Sequence, residues 1–560
     1  MRKTLAVVLA LNLILCGLSA LADAGSEPDW TEYDRLIEAI KAETDYAARE
    51  HMMHHAEELL MQTGAVLPLY YDNSMLVMRE KVSGAYNNPF GATALRRIAV
   101  EGSDTLTLCL GGEPDKLDPA LLQTINAENL VDACFGGLYA RDEKGRATPN
   151  FATDCEMSAD GLTYTFTMRE GLRWTDGTPL DARDFEYSWK RAADPRTGSG
   201  YSYIFNIVKG YPDEMAVSAS ENGRTFTVEL AEPCAYFLDM VCMATTFAVP
   251  RSAVEAAPNA SLNPGSWALE AGFVCSGPFV MSTWKHGEYI ELTKNPDYWD
   301  AENVKLEKLV LMLTTDDNAA YNAYLAGDLD LINFVPPDEV IPLRQTPEFH
   351  TFDRLGTKYI AFNVKSHLFD DMTVEQAAAM RRALALLIDR DYLVETVGQR
   401  GQKPANCIIP YTMSDGQGDF FKTSDPDYHY PVVSTLDSGE KAEGYFDLDV
   451  DVKGAIALLK QAGFAFDGDR LSAATPLVFE LSADNSAQSV NLAQCIQQDL
   501  AEVGIEAIIH TYDIREYITR QFQGRYDVCI AAWVVDCNDP VNMLEIYASG
   551  SGNNTVFLGR

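Results

Sequence analysis

Residues 531–540 read AAWVVDCNDP, which sets one carboxylate, Asp536, three positions after the indole of Trp533 at the end of an apolar run. A carboxylate placed there has two uses. It can cap a turn ahead of Asn538 and Pro540, as Asp side chains do by accepting from nearby backbone N–H groups. It can also hold a cation, most strongly where water is excluded. A second candidate is HMMHH, which puts His51 and His55 four residues apart, a metal-like spacing on a helix. The glutamate of H-E-x-x-H is missing, so a solvated helix face is the better reading, and no metal is expected. Acidic residues number 82, and pairs of carboxylates always arise in such a composition, but nothing fixes two at a catalytic separation. Neither a G-x-S-x-G elbow nor a phosphate-binding glycine loop is present. The chain is therefore not read as an enzyme, and no cofactor is expected.

The elements that must position these residues belong to a large exported chain. Its 560 residues exceed one ordinary domain, and a hydrophobic content of 47% suffices for sizeable cores. The opening MRKTLAVVLALNLILCGLSALADAGS has Arg2 and Lys3 before an apolar run and small residues after it. This predicts a secretory signal peptide over residues 1–24. Cys16 offers a lipid anchor as the alternative to a free chain, although Leu15 before it is larger than such a site prefers. No other apolar run is long enough to span a bilayer. The formal net charge of −38 repels phosphate backbones and anionic headgroups, so a nucleic-acid partner is not expected. Eleven cysteines are scattered singly through hydrophobic segments, where buried free thiols are at least as good a reading as bridges.

Periodicity fills in the rest. TEYDRLIEAIKAE places Leu36, Ile37 and Ile40 on one helix face, and a second helix follows with Thr44 as its expected N-cap and Gly64 as its stop. AVLPLYYDNSMLVMR reads as a buried strand, and DTLTLCL as another. Tyr164, Phe166 and Met168 alternate as in a strand, TDGTP reads as a turn and ARDFEYSWKR as a helix. Residues 223–250 and 273–315 are expected to be mostly strands. Beyond about residue 355, amphipathic helices (MRRALALLIDRDYLVETV, DVKGAIALLKQAGF) alternate with apolar strands (PLVFELSA, EAIIHTY, YDVCIAAWVV), which suggests an α/β domain with a mixed sheet.

Several stretches together resemble the extracytoplasmic peptide-binding proteins of ABC importers, the oligopeptide and dipeptide solute-binding proteins of family 5. They are EPDKLDP (Glu113 to Pro119), LRWTDGTPLDARDFEYSWKR (Leu172 to Arg191), SGPFVMSTWKHGEYIELTKNPDYWD (Ser276 to Asp300), YLAGDLDLI (Tyr324 to Ile332) and RRALALLIDRDYL (Arg381 to Leu393). The order of segments departs from the family. There, the Glu-Pro segment lies near the mature N-terminus, and an Asn-Asn-Thr loop is followed by a helix pair and a Val-Pro-Leu-Tyr-Tyr-like strand. Here Asn553, Asn554 and Thr555 stand almost last, while EYDRLIEAI through VLPLYYDNSMLVM directly follows the leader. The chain is read as a circular permutant whose usual termini are joined near FGATALRRIAVEGSD, with a rearranged gene as the alternative.

The resemblance implies an α/β, bilobal periplasmic-binding-protein-like fold with mixed sheets, hinged lobes and an extra inserted domain. Domain I would comprise 76–137 plus 245–353, domain II the insertion 138–244, and domain III 28–75 plus 354–560. It implies a monomer that captures peptides between two lobes, in the periplasm or at the outer face of the cell membrane, and delivers them to an ABC-transporter permease. Nickel- or haem-binding members and peptide-pheromone receptors are the alternatives. By the same resemblance Asp536 takes the ligand's ammonium beside Trp533. Ala532 and Val534 pair with the ligand backbone from one lobe and Ile125 from the other, and Tyr201 closes over it. Ile530 stands where some oligopeptide binders have an arginine, so recognition of a peptide C-terminus is left open.

Overall fold

The computed structural model describes residues 26–435, 439 and 441–551. The leader, Cys16 and the loop around Asn553 lie outside them. The described chain opens with helices α1 (Thr31–Ala42) and α2 (Tyr46–Thr63) and strand β1 (Val66–Met78). Then follow β2 (Thr105–Gly111), α3 (Ile125–Cys134), the antiparallel strands β3 (Phe279–Lys285) and β4 (Tyr289–Lys294), β5 (Lys308–Leu313) and the short β6 (Leu331–Ile332). Last come the long β7 (Phe349–Phe362), β8 (Val478–Asp484), β9 (Glu506–Tyr512) and β10 (Val528–Val534). Between α3 and β3 a separate four-stranded antiparallel sheet carries Thr163–Met168 at its centre and packs on helix Ala182–Ala193.

The main sheet is mixed and runs β3-β4-β5-β2-β6-β1-β7-β10-β8-β9, with Lys403–Pro404 also on β1. Its two long members, β1 and β7, pair antiparallel from Val66↔Ala361 to Val77↔Phe349. The ladder shifts register between Pro68 and Tyr70, beside a proline that cannot donate to the ladder, and again between Tyr71 and Asn73. β1 is buried along nearly its whole length, with only Asp72 and Ser74 part-exposed in an otherwise largely apolar sequence, as suits a strand covered on both faces. The cores divide along it. Val66, Leu67, Leu69 and Tyr70 pack with residues 355–548, whereas Leu76 and Met78 join residues 82–313. Two strands thus cross from one lobe to the other, which is the geometry of a hinge.

The first helices are tied into the second lobe by polar bonds as well as apolar ones. Leu36, Ile37 and Ile40 are buried as expected. The Tyr33 hydroxyl donates to the Leu544 carbonyl at 2.8 Å, and Ser549 N donates to Asp34 at 2.9 Å. Arg49 and Asp539 form a two-pronged ion pair, both bonds 2.8 Å, with side chains 3% and 4% exposed. Burying both charges is costly, and the paired geometry offsets that cost. The Glu57 carboxylate accepts from Ile408 N and Ile409 N, and burial pushes its pKa up to about 7.

Three local expectations are corrected. The N-cap of α2 is Asp45, which accepts from Ala48 N, rather than Thr44; Gly64 does end the helix, at φ 63°. Of residues 223–250 only Thr225–Glu229 forms a strand, in the separate four-stranded sheet; the apolar run after Pro233 lacks a two-residue period and forms short helical turns. The stretch MRRALALLIDRDYLVETV is not one helix. A helix capped by Thr373 ends at Ala385, and Asp389 caps a new turn by accepting from Tyr392 N.

Replacing Arg49 with Met should leave Asp539 charged, buried and unpaired, and lower unfolding stability by about 3–5 kcal/mol. R49M combined with D539N removes the stranded charge and should recover part of that loss. Urea unfolding of the three proteins measures both. A single-variant loss below ~1 kcal/mol would show that the pair does not hold α2 to the 535–540 segment.

Candidate ligand-binding site

Asp536 follows β10. That strand pairs antiparallel with β7 from Phe362↔Val528 to Gly356↔Val534, but meets β8 only at Val528 and Cys529. Towards Ala532 and Val534 its second edge has no partner strand among the described residues. Such an edge presents N–H and C=O groups to whatever enters beside it. Ala532 is exposed, and Trp533 and Val534 are half-buried.

The turn after β10 is fixed from every side. Val535 N donates to Leu355 O at 2.9 Å, and Asp536 N to Asn542 Oδ1 at 2.9 Å. Asn538 N donates to Asp239 at 2.9 Å, and Ser414 N to Asn538 Oδ1 at 2.9 Å. Asp539 accepts from Val541 N at 3.0 Å besides holding Arg49. The turn-capping use open to Asp536 therefore falls to Asp539. The Asp536 carboxylate instead accepts from the Tyr203 hydroxyl at 3.0 Å and faces a cavity of about 210 Å³.

The cavity lies between the lobes. Val534, Val535 and Asp536 line one side, and Ile125, Glu128, Arg141 and Tyr201 the other. Ile125 and Glu128 share a face of α3, three residues apart, and Thr124 caps this helix by accepting from Ala127 N. Arg141 is not free. Its Nε and Nη2 donate to the two oxygens of Asp239 at 3.2 and 2.9 Å, and Nη2 also reaches the Asp536 carbonyl at 3.5 Å. Arg141 and Asp239 thus clasp the 536–538 backbone across the lobe boundary. Burial raises the Asp536 pKa, opposed by the Tyr203 hydrogen bond and by the Arg141 charge. Burial and the nearby Asp132 push Glu128 up to about 7. Both shifts mark carboxylates held where water is scarce, a setting in which an added cation is strongly favoured.

Of the six residues singled out in the sequence, Asp536, Val534, Tyr201 and Ile125 line this cavity together. Ala532 lies on the open strand edge beside it. Trp533 does not line it; its indole N–H donates to Asn542 at 3.4 Å, and its ring packs on the second lobe's core. Sequence reasoning missed Tyr203, Glu128 and Arg141. Tyr203 and Glu128 sit two and three residues from positions already chosen, whereas nothing local distinguishes Arg141. Ile530 is buried in the core. His51 and His55 lie on an outer helix face with side chains 71% and 42% exposed, near Asp425 and Glu32. The ten described cysteines are free thiols. A larger open groove of about 850 Å³ crosses helix Ala182–Ala193, but its Arg183, Lys190, Arg191, Arg196 and Arg251 each already pair with a carboxylate of the chain.

If Asp239 holds the turn, Asp239→Ala should leave the Asn538 amide without its acceptor. Hydrogen exchange at that amide should then speed up by about tenfold or more relative to the native chain. An unchanged rate would mean that the turn is set within its own lobe.

The chain matches the family described as bacterial extracellular solute-binding proteins, family 5 (Middle), over residues 146–555. The oligopeptide-binding protein OppA of Bacillus subtilis is 29% identical over 468 residues, 81% of this chain and 79% of the relative. The periplasmic murein peptide-binding protein MppA of Escherichia coli is 28% identical over 459 residues, 80% and 78% of the two chains. Among solved structures, the unliganded open form of the murein tripeptide-binding protein MppA superposes with a TM-score of 0.62 at 25% identity, covering 81% of this chain and 83% of that one. The oligopeptide-binding protein OppAIV of Borrelia burgdorferi gives a TM-score of 0.59 at 25% identity, covering 81% and 84%. With a mixed sheet shared by two lobes and a cavity between them, the protein belongs to the bacterial extracellular solute-binding proteins of family 5.

Proposed function

We propose that this protein captures peptides between its lobes, outside the cytoplasmic membrane, and passes them as a monomer to the permease of an ABC transporter. The observation that carries the reading is the Asp536 carboxylate. It is held in an interlobe cavity with one hydroxyl donor and lies beside an open strand edge. A peptide offers the complement: an α-ammonium for the carboxylate, and an extended backbone that can add to the edge at Ala532 and Val534. Ile125 and Tyr201 approach from the opposite lobe, and Trp533 stiffens the strand from behind. The role is capture without chemical conversion. The relatives named for oligopeptide and murein peptide binding favour the same ligand class. No described helix is long and apolar enough to cross a membrane.

In this reading the fold is a circular permutant, with domain I at 76–137 plus 245–353, domain II at 138–244 and domain III at 28–75 plus 354–560. Its support is the docking of α1 against Leu544 and Ser549 and the place of β1 in the middle of the sheet. A rearranged chain that begins at Ala99 and carries residues 26–98 after Arg560 should fold with the native melting temperature to within a few degrees and bind the same ligands. Failure to fold would remove the permutation from this reading.

Ligand capture is tested by thermal shift with di- to pentapeptides against nickel and haem. Stabilisation by peptides is expected; a shift with nickel or haem and none with any peptide would overturn it. Asp536→Asn should weaken binding of free-amine peptides by about tenfold or more, a loss of ~1.4 kcal/mol or above. N-acetylated peptides should bind poorly to both forms and lose little further. Equal losses for the two peptide types would make Asp536 structural.

A further inference from the structure

The cavity holds a second carboxylate that nothing so far employs. Glu128 lines it on the same face of α3 as Ile125, opposite Asp536. Among the described residues it has no hydrogen-bond or ion-pair partner. The neighbouring cations are committed elsewhere: Arg141 to Asp239, and Arg354 to Asp72 at 2.8 Å. Arg96 lines an adjacent cavity with Glu128 and Asp132, and its charge acts on Asp132. Both carboxylates act on the Tyr201 hydroxyl, which places that ring within reach of their fields. The space between the lobes is therefore lined by two carboxylates and one already neutralised arginine. A single ligand ammonium at Asp536 would leave Glu128 with no counter-charge of its own, only the fields of Arg141 and Arg354, which pair elsewhere, in a water-poor setting where ionisation is costly.

We propose that Glu128 is a specificity-determining residue that receives a second cation, so that the preferred ligand is a peptide whose first residue bears a basic side chain. Its α-ammonium meets Asp536, and its side-chain amine or guanidinium meets Glu128. This inference rests on the peptide reading above. It adds a consequence that reading lacks, a ranking by the charge of the first side chain. A neutral side chain of equal length gains the apolar contacts but leaves Glu128 unpaired, and an acidic one adds a third negative charge to the cavity.

The test is calorimetric titration of the full chain at pH 8, where Glu128 is ionised, with Lys-Ala-Ala, norleucine-Ala-Ala, Glu-Ala-Ala and Ala-Ala-Ala. Lys-Ala-Ala should bind about tenfold or more tighter than norleucine-Ala-Ala, and Glu-Ala-Ala weakest. Glu128→Gln should abolish the lysine preference, so that Lys-Ala-Ala and norleucine-Ala-Ala bind within about twofold of each other. Equal binding of the lysine and norleucine peptides to the native chain would overturn the role of Glu128 while leaving peptide capture standing, and so would a preference that survives Glu128→Gln. Binding of none of the four peptides would overturn both.

Discussion

The structure depends on one strand being in the right place. β1 stands between β6 and β7 in the middle of the main sheet, although it comes third among the described elements of the chain. With β1 removed, β7 would lose the partner that covers most of its length, and the β2–β6 ladder would end at an open edge buried against the core. Unpaired backbone groups in such a place are expensive, so the segment is obligatory rather than an appendage. Its burial contributes in the same direction: each fully buried Val or Leu side chain supplies roughly 1.5–3 kcal/mol, and Val66, Leu67, Leu69, Leu76 and Val77 are all 0% exposed. β1 and β7 also carry the chain across the lobe boundary, and the irregularity between Tyr71 and Asn73 lies where the two cores part, between Tyr70 and Leu76.

The site inherits its chemistry from this arrangement. β7 holds β10, and β10 delivers Asp536. The helices that precede β1 supply Arg49, which fixes Asp539 and so gives the turn its cap. Relieved of capping, Asp536 points its carboxylate at the interlobe cavity, with Tyr203 as its side-chain donor among the described residues. From the other lobe, Arg141 and Asp239 bond to each other and to the backbone at 536 and 538. Apart from the Tyr203 hydroxyl on Asp536, these cross-lobe bonds bear on the backbone, and they leave the Asp536 carboxylate facing the cavity. A positively charged group between the lobes would meet preorganised acceptors and pay little to order them.

Much of the fold was legible because its signals are local. The period of Leu36, Ile37 and Ile40, the apolar runs of β1 on either side of Asp72, Asn73 and Ser74, and the alternation at Tyr164, Phe166 and Met168 each follow from burial of one face or two. Expectations failed where burial masks periodicity. The apolar segment after Pro233 carries no two-residue or four-residue pattern, and the stretch around Asp389 hides a cap inside what reads as a continuous helix. In the site, Ile125, Val534, Tyr201 and Asp536 could be named because each sits in a motif. Glu128 and Arg141 could not, since their roles arise only when α3 and the segment around Arg141 face the end of β10 across the cavity. Trp533 shows the converse: a residue in the motif whose ring serves the core behind the strand.

The central claim is that an amino terminus is held at Asp536 while a peptide backbone extends the open edge of β10. The most direct measurement is a crystal structure of the complex with a free-amine peptide that stabilises the protein. The expected result is an α-amino nitrogen about 3 Å from the Asp536 carboxylate, with main-chain hydrogen bonds to Ala532 or Val534. A peptide lying elsewhere, or one that turns its carboxylate end towards Asp536, would contradict the claim.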